Sequence, residues 1–389
     1  MHSSPEDQST VVLVDRILAR AVDERASDIH IEPRPKSVRV RFRIDGLLVS
    51  RPPFDQAFRQ RVASRLKVMA NLDIAERRLP QDGAFRFRVD QLDVDVRIST
   101  FPTEYGEKVV LRLLPQSNAR MNLTDLGVSQ SLAEELTQLS QRAHGMLLVT
   151  GPTGSGKTST LYALLQQTDA IGRNIVTLED PIEYRFKHVI QAQTNPRIGF
   201  TFARGLRAML RQDPDVIMVG EMRDAETANI AFKAALTGHM VLSTLHTSSA
   251  IETFVRLFDM GLEKYVVASA INGMLAQRLV RRICAHCCEM KAADAPTIDL
   301  FAEYGLAVEQ TPVAVGCESC HNTGFSGRTG IFELISADDR LKDLVKSEDT
   351  TRIQLATVLH ERGHQGLRRE GLERVMQGLT TVDEVMRVT

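Results

Sequence analysis

Met146-Leu147-Leu148-Val149-Thr150-Gly151-Pro152-Thr153-Gly154-Ser155-Gly156-Lys157-Thr158-Ser159 decides how this chain is read. A short apolar run of strand length leads into G-x-x-x-x-G-K-[ST], matched at every fixed position. Residues 158–165 beyond it have helical character, which is the setting that motif requires. Glycines let the backbone curl so that its N–H groups face phosphate oxygens, and the N-terminus of the following helix adds a favourable dipole. The loop Gly151, Pro152, Thr153, Gly154, Ser155, Gly156, Lys157, Thr158 and Ser159 is therefore expected to hold a nucleotide. In it Lys157 neutralises the β- and γ-phosphates and Thr158 ligates Mg²⁺. The plain alternative, a glycine-rich turn before a helix, does not demand the preceding strand.

Downstream, apolar runs at 175–178, 216–219 and 240–243 alternate with helical stretches. Continuous apolar strands between helices describe a mostly parallel sheet buried on both faces. A site in such a sheet gathers at the carboxyl ends of the strands. There the sequence places Glu179-Asp180-Pro181-Ile182-Glu183, Gly220-Glu221 and His246. One carboxylate is suited to orient or deprotonate water and another to hold Mg²⁺. A lone Glu179 or Asp180 more often caps a helix or pairs with an arginine. Beside a phosphate loop Glu183 and Glu221 gain weight as functional groups, and spacing alone does not choose between them. His239 and His246 bracket one strand and point to opposite sheet faces, so they are not expected to share a metal. His246, at the carboxyl end, is placed to sense the γ-phosphate.

Upstream, residues 115–122 read as a polar linker, and the region before it as an α+β unit. Residues 11–26 carry apolar residues at helical spacing until Ser27-Asp28. From 37 to 49 the period becomes two, Val38, Val40, Phe42 and Ile44 alternating with Arg39, Arg41, Arg43 and Asp45, and residues 85–99 behave alike. That pattern is a half-buried antiparallel sheet with one charged face. By default Arg86, Arg88 and Arg97 stand on a solvated surface.

Length and composition bound these readings. A chain of 389 residues suggests two or three domains. With 48 Lys and Arg against 49 Asp and Glu, the net charge of −1 excludes bulk electrostatic affinity for nucleic acid or anionic lipid, though not a local basic face. Neither a secretory signal nor a run of about 18 apolar residues is found. A cytosolic protein with no direct membrane span is expected, held at a membrane only through partners. The five cysteines are too few for a disulfide scaffold and suggest a reducing compartment. Cys284, Cys287, Cys317 and Cys320 form two C-x₂-C knuckles, a signature of tetrahedral Zn²⁺ in a closed structural site. The 29-residue spacer exceeds the usual ribbon window, and His286, Cys288 or His321 are the substitute ligands. Cys288 is otherwise a spare thiol.

The motifs together resemble the secretion traffic ATPases, the type II secretion ATPase and its relative in type IV pilus assembly. The likeness runs through Ala26-Ser27-Asp28-Ile29-His30-Ile31-Glu32-Pro33, Arg41-Phe42-Arg43-Ile44-Asp45-Gly46, Leu79-Pro80-Gln81-Asp82-Gly83 and Gly106-Glu107-Lys108. It continues through the phosphate loop, the acidic box ending at Glu183, Phe202-Ala203-Arg204-Gly205-Leu206-Arg207, the segments 211–215 and 219–224, and the histidine box at 237–247.

The resemblance implies an N-terminal antiparallel-sheet domain (1–114), the linker, and a RecA-like P-loop ATPase core (123–282). A tetracysteine zinc subdomain (283–330) and a helical C-terminal subdomain (331–389) follow. It implies ATP and Mg²⁺, Glu183 as general base, and Glu221 in the Walker B role. Glu179, Asp180, His239 and His246 would lie at the nucleotide. Arg97 and Arg112 would reach it from the N-terminal sheet, and Arg204, Arg207 and Arg211 would form a further cluster beside it. Family members work as homo-hexameric rings in the cytoplasm, peripheral to the inner membrane, acting on an inner-membrane platform and not on nucleic acid. Retraction-type pilus motors generally lack the tetracysteine, which tilts the expectation towards secretion, with pilus assembly as the alternative. A RecA-like hexamer with an arginine-rich sheet would also suit a nucleic-acid translocase, a more distant reading. Two departures stand out. Ala84 replaces a frequent arginine, and the sequence opens near residue 11 without the additional N-terminal docking domain of many relatives, implying a shortened chain or a different mode of recruitment.

Overall fold

Alternation of apolar and charged residues makes the N-terminal third a sheet with one dry face and one wet face. The computed structural model describes residues 5–115, 122–347 and 350–389, and the chain divides into two compact units between residues 119 and 120. The first contains α1 (Pro5–Asp23), β1 (Asp28–Pro33), β2 (Ser37–Ile44), β3 (Leu47–Asp55), α2 (Arg59–Met69), β4 (Gln81–Val89), β5 (Leu92–Thr103) and β6 (Gly106–Pro115). The antiparallel order is β3-β2-β1-β6-β5-β4. Val38, Val40 and Phe42 of β2 pack with Val94, Val96 and Ile98 of β5 beneath Val14 and Leu18 of α1 and Val62 and Leu66 of α2.

Their alternates carry the charge. Arg39 Nε and Arg41 Nη2 donate to Glu32 at 2.8 and 2.6 Å, and Lys108 Nζ stands 3.5 Å away. Burial alone would raise the Glu32 pKa, but these guanidinium bonds outweigh it and bring it to about 2. Arg86 and Arg88, largely exposed, pair with Asp95 and Asp93 across the β4–β5 hairpin, as a solvated face should. In Gly106-Glu107-Lys108, Glu107 neutralises the buried Lys67 at 2.5 Å, while Lys67 Nζ also donates to the Glu76 carbonyl at 2.7 Å. Of the expected linker, residues 116–121 lie outside the described residues.

The second unit begins with α3 (Gln130–Ser140), β7 (Gly145–Thr150), α4 (Lys157–Gln167), β8 (Ile175–Glu179), β9 (Ile190–Gln193), α5 (Phe202–Met209) and β10 (Val216–Val219). It continues with α6 (Ala225–Leu236), β11 (Met240–Leu245), α7 (Ala250–Asp259), α8 (Lys264–Ala270), β12 (Ile271–Ile283), β13 (Cys288–Ala292), α9 (Ala295–Glu303) and β14 (Gln310–Ala314). Last come β15 (Phe325–Ser336), α10 (Asp339–Lys346), α11 (Arg352–Glu361), α12 (Leu367–Met376) and α13 (Val382–Val388).

The main sheet runs β15-β12-β7-β11-β10-β8-β9, parallel except at β15. Leu147 and Val149 of β7 face α3 and α4, while Met146 and Leu148 face the helices α5 to α8, so both sheet faces are buried. Gly205 makes one contact possible, because a Cβ there would come within 2.6 Å of Leu178 Cδ2 where α5 crosses β8. The expected division at 282/283 lies one residue before the end of β12, whereas the one at 330/331 cuts through β15. β15 pairs along β12 from Gly273↔Ser336 to Ile283↔Phe325, so the break at 330 falls inside an edge strand of the main sheet. The segment 284–324 is an insertion at the open end of that hairpin.

Candidate functional site

The strand β7 delivers the phosphate loop at its carboxyl end, and α4 starts at Lys157. Gly151 and Gly156 adopt φ of +144° and +90°, which disfavour any side chain, and a Cβ on Gly151 would lie 2.5 Å from the Gln277 carbonyl oxygen. Lys157, nearly buried, directs Nζ into the curl, donating to the Gly151 and Pro152 carbonyls at 2.7 and 2.9 Å. Burial above all, aided by the charge of Arg278 and opposed by Glu221, lowers its pKa to about 8.

A proton linkage follows. A bound polyphosphate holds Lys157 charged, whereas in the free protein the ammonium titrates near 8. Binding should therefore take up protons above pH 8, and affinity should fall as pH rises from 8 to 9 by up to about tenfold per unit. Calorimetry at pH 8.5 in buffers of different ionisation enthalpy measures this, and zero uptake would refute it.

Gln277 of β12 was not singled out by the sequence. Buried in β12, it donates Nε2 to the Ser155 carbonyl at 2.6 Å and accepts from Thr160 Oγ1 at 2.8 Å. It thus ties the loop to the neighbouring strand and to α4. Asn272, Arg278, Arg281 and Arg282 interrupt the same strand, so no signal in the sequence marks Gln277.

A small cleft of about 70 Å³ at the carboxyl ends of β8 and β10 brings together Thr158, Asp180, Glu183 and Glu221. Glu221 accepts from Arg223 Nη2 at 2.6 Å, and His246 Nε2 lies 3.3 Å from its other oxygen. Burial would raise the Glu221 pKa, but the Arg223 and His246 bonds and charges hold it below the usual range, as a cation ligand requires. A larger cavity of about 720 Å³ borders the outer lip of the loop, lined by Pro152, Thr153, His246, Glu252, Arg256 and Arg278 among others. It has room for a nucleotide, but the carboxylates suited to hydrolysis line the small cleft.

Other expected residues are placed differently. Glu179 lies on the cleft floor, where its buried carboxylate is taken up by Tyr162, Thr177 and Gln191. His239 lies at the amino end of β11, roughly 20 Å along the strand from His246. There its Nδ1 is 3.0 Å from the Ala234 carbonyl, so this chain does not bring it to its own phosphate loop. Arg204, Arg207 and Arg211 occupy the exposed face at α5 and just beyond it, with Arg207 paired to Glu226 at 2.6 Å. None of the three lines the cleft. In the N-terminal unit Arg97 and Arg112 face each other across β5 and β6, and Arg112 Nε donates to Asp28 at 3.1 Å.

The four cysteines converge where the β12–β15 hairpin opens. All four Sγ atoms lie within 4.8 Å of one another, with Cys284–Cys317, Cys287–Cys320 and Cys317–Cys320 at 3.9, 3.8 and 3.7 Å. A tetrahedron with metal–sulfur bonds of about 2.3 Å has edges of about 3.8 Å, so the donor set fits Zn²⁺. Backbone N–H groups of Cys317 and Gly324 point at Cys320 Sγ. Burial opposes ionisation, yet these donors bring that thiol to about 6. Cys288 stands outside the cluster, its pKa raised chiefly by burial.

Residues 3–387 match the family model described as type II/IV secretion system protein. A type II secretion system ATPase E of Vibrio cholerae serotype O1 is 47% identical over 391 residues, covering 99% of this chain and 76% of the relative. A type II secretion system protein E of Pseudomonas aeruginosa is 49% identical over 387 residues with the same coverage. Among solved structures, the Legionella pneumophila ATPase DotB superposes with a TM-score of 0.70 at 22% identity, over 97% of this chain and 95% of its own. The pilus retraction motor PilT with bound ADP gives 0.62 at 28% identity, over 96% of each chain.

Proposed function

The chain belongs to the type II/IV secretion system protein family, and from that premise we propose that it is the ATP-hydrolysing motor of a type II secretion system, driving pseudopilus assembly and protein export. The observation that carries the reading is the convergence of Lys157, Thr158, Glu183 and Glu221 around one phosphate loop in a chain nearly half identical to type II secretion ATPases. Lys157 offsets the charge that develops on the β- and γ-phosphates. Glu183 accepts a proton from the attacking water, and His246, bonded to Glu221, reads the γ-phosphate position. Thr158 and Glu221 would hold Mg²⁺, which supplies charge neutralisation at the leaving phosphates.

Arg204, Arg207 and Arg211, exposed on their own protomer, are suited to a neighbouring copy in a hexameric ring. The cysteine cluster is read as structural zinc. Among the described residues no helix is long and apolar enough to cross a membrane, and the working location proposed is the cytoplasmic side of the inner membrane, reached through a platform protein.

The test pairs chemistry with transport. The purified protein should release phosphate from ATP without stimulation by DNA, and a host strain lacking it should retain exoproteins until it is resupplied. DNA-stimulated turnover with normal export in that strain would replace the motor reading with a nucleic-acid translocase.

A further inference from the structure

We propose that the Tyr162 hydroxyl is a positioning group that sets the main chain of Glu183 and thereby the turnover rate; the role rests on the reading of Glu183 as general base. Tyr162 lies on α4 and is 3% exposed. Its hydroxyl hydrogen-bonds a Glu179 carboxylate oxygen, and the Glu183 backbone N–H lies 3.2 Å from the same hydroxyl oxygen. The direction of both bonds is forced. A backbone N–H can only donate, so the phenol accepts from Glu183 and gives its single proton to Glu179. Burial first, then the charge of Glu179, push the phenol above its ordinary pKa, so it keeps that proton across the working range.

Glu179 is itself held on several sides. It ends β8 at 2% exposure, and its Oε1 accepts from Thr177 Oγ1 at 2.6 Å and from Gln191 Nε2 at 3.0 Å. Gln191 also binds the chain just past the acidic turn, donating to the Tyr184 carbonyl at 3.0 Å and accepting from the Phe186 N–H at 2.8 Å. The Tyr162 ring packs edge-on against Phe186 and Tyr184, with centroids 4.9 and 6.1 Å apart. Thus the helix that begins at the phosphate-loop lysine reaches the acidic turn through one oxygen atom. Tyr162 touches no reacting atom. It fixes the peptide from which the base projects, and a base displaced by about 1 Å can lose about 10²-fold in rate.

Removing only the oxygen tests this, because Tyr162→Phe keeps the ring packing. In the full-length chain, with rates normalised to nucleotide-binding sites, Tyr162→Phe should lower kcat at least about tenfold and leave KM within about twofold. The same substitution in a Glu183→Gln background should change the residual rate by less than about twofold, since the group it positions is already disabled. An unchanged kcat overturns the proposal, as does an equal fractional loss in both backgrounds, which would mark a general loss of structure. The reading beneath it is separated by the Glu183→Gln variant alone. If that variant matches the parent in kcat, the base assignment falls and the positioning role with it, whereas a disabled Glu183→Gln beside an unimpaired Tyr162→Phe removes the positioning role only.

Discussion

Lys157→Ala should abolish nucleotide binding and phosphate release together, whereas Glu183→Gln should keep binding and lose about 10²- to 10⁴-fold in turnover. The split follows from where each group acts. Lys157 Nζ is placed by the loop itself, through the Gly151 and Pro152 carbonyls, at the level where phosphate oxygens must lie. Its charge serves ground state and transition state alike, so its removal weakens binding as well as rate. Glu183 lies across the cleft on the turn that follows β8, beside Thr158 and Glu221. A glutamine there keeps shape and hydrogen bonding but cannot accept the proton of water, so the loss belongs to kcat. Fluorescent-nucleotide titration and single-turnover phosphate release separate the two. Parallel loss of binding in both variants would return Glu183 to the role of a nucleotide ligand, and equal rates in all three proteins would remove the enzymatic assignment.

How much of this was legible depends on where each residue's partner lies in the chain. The strands β7, β8, β10 and β11 are buried on both faces and read as unbroken apolar runs, so sheet and phosphate loop could be placed from sequence. β12 and β15 hid behind internal polar residues and glycines. Gln277 donates to the Ser155 carbonyl of the phosphate loop and Arg278 to the Ser248 and Val388 carbonyls, while Gly327 and Gly330 break the pattern of the return strand. The cysteine knuckles alone place a boundary inside a strand that belongs to the main sheet.

The acidic box was equally readable as a set of carboxylates, but not as a division of labour. Glu179 and Glu183 look alike in sequence. What separates them is the tyrosine on the preceding helix, which binds the carboxylate of one and the backbone of the other. His239 shows the converse. Its motif places it with His246, yet a strand length separates the two.

Metal removal is expected to release the segment 284–324 while sparing the nucleotide site. This insertion holds a two-stranded sheet, β13 with β14, and one helix, α9, and such a small element needs staples. Its apolar anchorage is narrow, centred on Phe301 against Leu372, Val375 and Val385. Structural zinc sites carry about 10–16 kcal/mol of apparent binding energy, more than so small a core supplies. Protein purified without chelator should contain about one zinc per chain, and Cys284→Ser with Cys317→Ser should lose it. Limited proteolysis should then cut within 284–324 at least about tenfold faster. ATP binding should persist, because Gln277 and the phosphate loop are anchored by β7, β11 and the near end of β12, not by the far end where the cysteines sit. Absence of metal in the parent protein, with the same cleavage pattern in the variant, would leave the cluster as four buried or half-buried thiols without a staple. Loss of ATP binding on metal removal would instead mean that the hairpin transmits the state of the cluster along β12 to the loop.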